Sequence, residues 1–203
     1  MPRLNDSTRD ERRTRIATAA LRCFARNGIA ETSMADVIKE SGLSNGSIYS
    51  HFGSKADLLR FTISSALESR FLRVVDRGGS PDGATPAVLL AQLLGGDDIA
   101  PEQARVLIQV WAEVARDPEL GVVASENVQR LRSLLGAALR PWVDARAADP
   151  SERDLLLHRV TERLITTMFG YAVRLALDPD TDPEALRDSL VASAEDVPLL
   201  PAG

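Results

Sequence analysis

Residues 33–57, SMADVIKESGLSNGSIYSHFGSKAD, are the stretch of the sequence that decides the fold. Two short helices are predicted here, the first after Ser33 and the second after Ser44, because serine is a preferred N-cap residue. Gly42 lies between them, where glycine permits the tight turn that joins two helices. The apolar side chains that can seal the corner are Val37, Leu43 and Ile48. This spacing has the dimensions of a helix-turn-helix motif.

The second helix of such a motif protrudes and is free to enter the major groove of DNA, which is about 12 Å wide. Its exposed positions would be Asn45, Ser47 and Ser50, whose amide and hydroxyl groups can hydrogen-bond to base edges. Gly46 lowers the local bulk of this helix. The spacing alone also fits two ordinary packed helices, so the detailed residues have to decide between the two interpretations.

The rest of the chain predicts an all-α protein. Aromatic residues make up only 4% of the sequence, and apolar residues recur with a period near 3.6 almost everywhere. A first helix is expected from Ser7 or Thr8, where Thr8 and Glu11 have capping-box spacing, to Asn27. Pro141 is expected to kink or end its helix. The further helices are predicted at about residues 54–77, 85–94, 101–116, 119–146, 151–177 and 183–193.

Composition and charge narrow the class of protein. The 203 residues are 44% hydrophobic and 26% charged, which is typical of a soluble globular chain and excludes a disordered one. No apolar run is long enough for a membrane span, and the first residues lack the apolar core of a signal peptide, so we expect no membrane association and a cytoplasmic location. Residues 1–60 carry a net charge of +3 and residues 61–203 one of -8. This asymmetry is expected when the front of a protein meets a polyanion.

Three stretches carry a family resemblance. They are Phe24 to Met34, reading FARNGIAETSM; Gly42 to Phe52, reading GLSNGSIYSHF; and Ser54 to Leu59, reading SKADLL. Together they closely resemble the tetracycline-repressor (TetR) family of transcriptional regulators over about residues 10–60. The resemblance implies a helix-turn-helix DNA-binding domain of three helices over residues 1–54. It also implies a larger helical domain for ligand binding and dimerisation over residues 55–203.

The resemblance also implies roles for individual residues at the DNA. Ser33 would cap its helix and reach a backbone phosphate, and Ser44 would cap the recognition helix, whose free N–H groups favour a phosphate. Tyr49, His51 and Lys55 would contact phosphates of the DNA strand that flanks the groove. The residues expected to face base edges are Asn45, Ser47 and Ser50, beside Gly46. One departure from the family is Ile38, which stands where alanine is usual and could shift the crossing of the two helices.

The helix predicted at 151–177 carries apolar residues on two faces, so it must contact two neighbours. One face can serve the core and the other a second subunit, and the last helix can add to the same interface. Simple burial in a monomer is the alternative. The residues assigned to the interface of a homodimer are Leu164, Met168, Leu186 and Leu190.

A second group of large apolar residues could line a pocket for a small apolar or amphipathic molecule. A packed core is the default interpretation of any one of them, but their concentration in the helical body favours a binding site. The residues assigned to this pocket are Leu67, Phe71, Trp111, Leu131, Leu135 and Trp142.

These observations together predict a DNA-binding transcriptional regulator, a repressor that a small ligand releases from its operator. The alternative is a helical ligand-binding or scaffold protein whose front domain mediates protein contacts, and salt-dependent DNA binding would separate the two. An enzyme is not expected, because the sequence lacks the spacings of a catalytic nucleophile, a base or a metal site, and no cofactor is implied. The resemblance places the protein in the bacterial cytoplasm, associated with the nucleoid when it is bound to DNA.

Overall fold

The computed structural model describes residues 3–65, 84–95 and 101–195. Every regular element in these ranges is a helix, which confirms the predicted all-α class. In chain order they are α1 (Arg3–Asn27), α2 (Met34–Ser41), α3 (Asn45–Tyr49), α4 (residues 55–65 of the described part), α5 (Pro86–Leu94), α6 (Pro101–Arg116), α7 (Pro118–Asp144), α8 (Pro150–Leu177) and α9 (Pro183–Glu195).

Local signals set the ends of α2 and α3 as predicted. The Ser33 hydroxyl accepts a hydrogen bond from the Asp36 amide at 3.2 Å, and the Asp36 carboxylate accepts one from the Ser33 amide at 2.8 Å, so both halves of a capping box are present. Gly42 ends α2 with a φ of 66°, in the left-handed region that only glycine adopts at low cost. Ser44 caps α3 by accepting from the Ser47 amide.

Two details differ from the prediction. Helix α1 begins at Arg3, so Thr8 lies inside the helix and the expected capping box with Glu11 is wrong. No glycine or proline stands between Arg3 and Thr8, and nothing in the sequence therefore interrupts the helix there. Helix α7 passes through Pro141 and ends three residues later, at Asp144, so this proline lies in the last turn of the helix.

The contacts of the chain divide it into two compact units. The described part of the first unit comprises residues 3–65 and 106–124, so it joins α1 to α4 with most of α6 and the start of α7. Its core contains Ile16, Phe24 and Ile48, each at most 1% exposed. Val106, Val110 and Leu120, far along the sequence, belong to the same core.

The second unit contains α5, most of α7, α8 and α9. Helix α5 packs against α9 and α8, and the Tyr171 hydroxyl donates to the Pro183 carbonyl at 3.0 Å, which ties the end of α8 to the start of α9. Within the described residues no helix is both long and apolar enough to cross a bilayer. The predicted boundary between a DNA-binding domain, residues 1–54, and a domain for ligand binding and dimerisation, residues 55–203, stays a prediction. The largest fully buried side chains of this unit include Leu89, Leu90, Leu131, Leu135, Leu139, Leu164 and Leu175.

Candidate nucleic-acid interface

The turn between α2 and α3 is built from short-range contacts. The Gly42 amide donates to the Ile38 carbonyl at 3.2 Å, and the Leu43 amide donates to the Ser41 hydroxyl at 3.3 Å. Val37 and Ile48 are buried at 1% and 0% exposure, and they close the corner together with the partly buried Leu43. The two helices therefore form the predicted helix-turn-helix.

The unusual residue of this motif, Ile38, is partly buried and packs against the core of the first unit. Its larger side chain is thus accommodated by apolar neighbours. The backbone next to it keeps the left-handed conformation at Gly42, and the Gly42 amide donates a hydrogen bond to the Ile38 carbonyl.

The outward face of α3 is polar and open. Asn45, Gly46, Tyr49 and Ser50 are exposed, Tyr49 at 50%, whereas Ser47 is half-buried. A Cβ atom added at Gly46 would meet no atom within 4 Å, so the fold does not require glycine at this position. An amide, a phenol and hydroxyls on a bare helix face are groups that can hydrogen-bond to base edges and phosphates.

The predicted phosphate contacts lie around this face, and several of them already have partners within the chain. The Ser33 hydroxyl donates to the Asp36 carboxylate at 2.6 Å, and these hydrogen bonds hold the pKa of Asp36 below its ordinary value. The Lys55 ammonium donates to the Ala30 carbonyl at 2.9 Å. These bonds position both side chains beside the motif, and their contacts with phosphate stay predictions.

His51 stands two residues after the end of α3, and its ring is half-buried. Its Nδ1 atom is buried and has no hydrogen-bond partner among the described residues. Burial lowers the pKa of this imidazole, and the nearby positive charges of Arg9, Arg12 and Arg13 lower it further. Both effects favour the neutral form of the ring in the free protein.

Residues that the sequence reasoning did not single out hold the motif in place. The Arg15 guanidinium on α1 donates twice to the Ser41 carbonyl, at the end of α2. Glu40 on α2 forms ion pairs with Arg22 and Arg26 on α1, at 2.8 and 3.1 Å. Neither link has a local sequence signal, because each joins residues at least 14 positions apart.

A further link reaches the motif from α6. The Gln109 side-chain carbonyl accepts a hydrogen bond from the amide of Ile29 at 2.8 Å. Ile29 follows Gly28, whose φ of 85° turns the chain at the end of α1. Arg60 on α4 also pairs with Asp57 at 2.5 Å and with Glu119 at the start of α7.

The residues predicted to line a ligand pocket are spread over the structure. Leu67 and Phe71 lie outside the described residues. Trp111 is partly buried against the core of the first unit. Leu131 and Leu135 in the second unit are 2% and 0% exposed, as expected of core residues, and Trp142 is stacked 4.1 Å from the Arg146 guanidinium. The pocket stays a prediction.

The predicted dimer residues differ in their exposure. Leu164 is 2% exposed, so a single chain already buries it. Met168, Leu186 and Leu190 are half-buried and retain accessible apolar surface. Their assignment to a subunit interface stays a prediction.

Comparison with known proteins decides the family. Residues 16–60 match the family description "Bacterial regulatory proteins, tetR family", and residues 85–197 match "BetI-type transcriptional repressor, C-terminal". The chain belongs to the TetR family. The first match covers the helix-turn-helix and its flanks, and the second covers more than half of the chain, so this TetR-family regulator combines both parts of the family architecture.

Similar proteins agree with this assignment. The uncharacterized HTH-type transcriptional regulator YfiR of Bacillus subtilis is 30% identical over 141 residues, which are 66% of this chain and 68% of YfiR. The transcriptional regulator BetI of Burkholderia mallei is 28% identical over 140 residues, covering 68% and 71% of the two chains. A TetR regulator from Haloarcula marismortui shares the fold, with a TM-score of 0.75, 21% identity, and 92% and 97% of the two chains covered.

The TetR-family chain is therefore a DNA-binding transcriptional regulator, as the sequence predicted. Its family and its relatives are regulators of transcription, a class that is generally not enzymatic. TetR-family regulators bind operator DNA, and the contact of the exposed polar face of α3 with DNA stays a prediction.

Proposed function

We propose that this TetR-family regulator is a homodimeric repressor that binds duplex operator DNA through α3 and leaves it when a small ligand binds. The observation that carries the proposal is the outward face of α3. On this face Asn45, Gly46, Tyr49 and Ser50 are exposed, and the position of Gly46 is sterically open. Exposed polar groups on a short protruding helix are available for recognition.

The chemistry of that face divides the contacts into two kinds. We assign Asn45, Ser47 and Ser50 to base edges, because amides and hydroxyls at the groove carry sequence information. The groups assigned to phosphates, which position the protein on any duplex, are Ser33, Ser44, Tyr49, His51 and Lys55. We also propose a location in the bacterial cytoplasm, with association with the nucleoid when the protein is bound to DNA.

The dimer is assigned to α8 and α9. Met168 on α8 and Leu186 and Leu190 on α9 keep accessible apolar surface in the single chain, which a second copy of the same face would cover. A two-fold dimer can present two copies of α3 to successive major grooves, which lie roughly 34–36 Å apart along one face of the duplex.

The ligand is assigned to the helical body of the second unit. Leu131, Leu135 and Trp142 supply apolar surface there. Two polar atoms in the same unit, Gln92 Oε1 and Thr161 Oγ1, are buried and have no hydrogen-bond partner among the described residues. Such atoms cost about 1–3 kcal/mol each, so an amphipathic ligand that bonded to them would gain affinity. Of the other residues that the sequence assigned to the pocket, Leu67 and Phe71 lie outside the described residues and Trp111 packs in the first unit, so this assignment does not use them.

Titration of the purified protein with its own promoter DNA tests the proposal. We expect affinity to fall steeply with salt, because phosphate contacts release counterions. Lys55→Ala should weaken binding to all sequences, whereas Asn45→Ala should change the preference among them. Ser133→Ala, an exposed serine on α7, is the matched control and should change neither property.

DNA affinity that does not depend on salt would contradict the assigned roles. So would Lys55→Ala and Asn45→Ala variants that lose affinity equally on every sequence. A chain that binds no DNA fragment and instead captures a protein would support the scaffold alternative. For release, ligand affinity measured with and without operator must differ by the same factor as operator affinity measured with and without ligand, because coupling between two sites is reciprocal.

A further inference from the structure

Helix α1 carries a cluster of three arginines, Arg9, Arg12 and Arg13, which we call the arginine cluster. Their spacing of three and four residues places them on neighbouring turns of one helix face. Arg9 and Arg12 are exposed, and Arg13 is half-buried. Among the residues that the structure describes, no acidic side chain forms an ion pair with any of the three. Three other arginines of α1 differ, because Arg22 and Arg26 pair with Glu40 and Arg15 binds a backbone carbonyl.

Arg13 fixes the cluster against the segment that follows α3. Its guanidinium lies 4.3 Å from the centre of the Phe61 ring and 5.2 Å from the centre of the Phe52 ring. The two rings are themselves 5.3 Å apart, so the cation rests on a preformed aromatic platform. Its Nε atom is buried and has no hydrogen-bond partner among the described residues. Phe52 stands three residues after the end of α3, so this contact ties Arg13 on α1 to the segment that follows the recognition helix.

His51 lies in the positive field of this cluster. Burial lowers the pKa of its imidazole, and the charges of Arg9, Arg12 and Arg13 lower it further, while its buried Nδ1 atom has no hydrogen-bond partner among the described residues. Asp10 and Glu11 stand between Arg9 and Arg12 in the sequence, but no ion pair among the described residues joins either carboxylate to the three arginines. A concentration of like charge is unfavourable in the free protein, and it becomes favourable when an anion approaches.

We propose that Arg9 and Arg12, held in place by Arg13, form a second phosphate-binding surface that contacts the backbone of the same duplex whose groove α3 enters. This inference rests on the proposed DNA binding by α3. The occupant follows from charge complementarity and from continuity, because Arg13 packs on the ring of Phe52, which follows His51 in the chain just after the proposed interface on α3.

The experiment compares salt dependence. A duplex selected from a random library by the wild-type protein is titrated at several salt concentrations with the wild type, with Arg9→Gln/Arg12→Gln, and with Arg116→Gln. Arg116 is the matched control, since its side chain is 79% exposed and it belongs to the same compact unit. The double variant should reduce the slope of log affinity against log salt by about 1.8, or about 0.9 for each lost phosphate contact.

The sequence preference should stay the same in the double variant, because phosphate contacts carry no base information. Arg9→Lys/Arg12→Lys should retain most of the slope, and it keeps the test decisive if the glutamine variant loses stability. A glutamine variant whose slope equals that of Arg116→Gln would overturn this inference. A wild-type protein without salt-dependent binding would instead overturn the proposed function, so the two failures are distinguishable.

Discussion

The guanidinium of Arg15 donates two hydrogen bonds to the backbone carbonyl of Ser41, from Nε at 3.1 Å and from Nη2 at 2.8 Å. The last carbonyls of a helix have no partner within it, and Arg15 satisfies this one at the turn that leads into α3. The contact spans α1 and the end of α2, so one side chain fixes where the recognition helix begins.

Replacing Arg15 by alanine should therefore affect stability and DNA binding together. We expect the free energy of unfolding to fall by about 1–2 kcal/mol, since two hydrogen bonds from a charged donor are lost. DNA affinity should fall on every sequence, because α3 loses its anchor. Denaturant unfolding and DNA titration measure the two effects. Arg15→Lys should restore part of both, and an alanine variant with unchanged DNA affinity would contradict the positioning role.

At Gly46 the same substitution should raise stability and lower DNA affinity. Gly46→Ala meets no atom within 4 Å and should raise the free energy of unfolding by a few tenths to about 1 kcal/mol, because alanine favours a helix. DNA affinity should fall, since a methyl group is added to the face that approaches the duplex. Gly121→Ala on α7, whose nearest atom would be the Val114 carbonyl oxygen at 3.8 Å, is the control and should leave DNA binding intact. Equal DNA affinity in both variants would argue against close approach at Gly46.

Removing the acceptor at Gln109 should loosen the corner between α1 and α2. Gln109→Leu leaves the amide of Ile29 without its partner, and we expect a loss of about 1–3 kcal/mol in the free energy of unfolding. Gln109→Glu keeps an acceptor oxygen at the same place and should preserve most of the stability. Hydrogen exchange at the Ile29 amide reports the contact directly, and unchanged exchange in the leucine variant would show that the bond does not protect it.

The protonation of His51 should make stability depend on pH. The pKa of its imidazole lies below the ordinary value of about 6.5, so the unfolded chain binds the proton more tightly than the folded one. Its contribution is therefore fully present above about pH 6.5 and is lost as the pH falls through the lower folded pKa. His51→Gln should flatten this dependence in denaturant unfolding.

A titration of His51 by NMR provides the direct reading. The His51 resonance should titrate below the ordinary range, and Arg9→Gln/Arg12→Gln should move its pKa upward, because two of the charges that lower it are gone. A His51 pKa that is insensitive to both arginines would place the arginine cluster too far away for the proposed surface.

A charge on α8 should separate the subunits. Met168→Glu places a carboxylate in the proposed interface, where an unpaired buried charge costs several kcal/mol, so the protein should sediment as a monomer. Val122→Glu, at a position 59% exposed in the first unit, is the control and should remain dimeric. Wild-type protein that sediments as a folded monomer would contradict the assigned interface.

Local chemistry explains which features the sequence could predict. The capping box of Ser33 and Asp36, the glycine turn at Gly42 and the cap at Ser44 involve neighbours in the chain, so the pattern alone was sufficient. The Arg15 contact joins residues 26 positions apart and that of Gln109 joins residues 80 apart. No periodicity encodes such pairings, because they depend on how the helices pack.

At the start of α1 a local pattern predicted a contact that the structure does not form. Thr8 and Glu11 have the spacing of a capping box, but a cap operates only where a helix has to begin. Arg3 to Ser7 contain no glycine or proline, and α1 extends past the expected start, so the box does not form.

The core of the first unit has a practical consequence for protein engineering. Val106, Val110 and Leu120 complete the apolar cluster around Phe24 and Ile48, although they lie in α6 and α7. A fragment cut after α4 would uncover that cluster and leave the Ile29 amide unbonded. The helices of the proposed DNA interface therefore cannot be transferred to another protein on their own. A chimeric regulator that borrows them must also carry residues 106–124, or supply a helix of the same shape in their place.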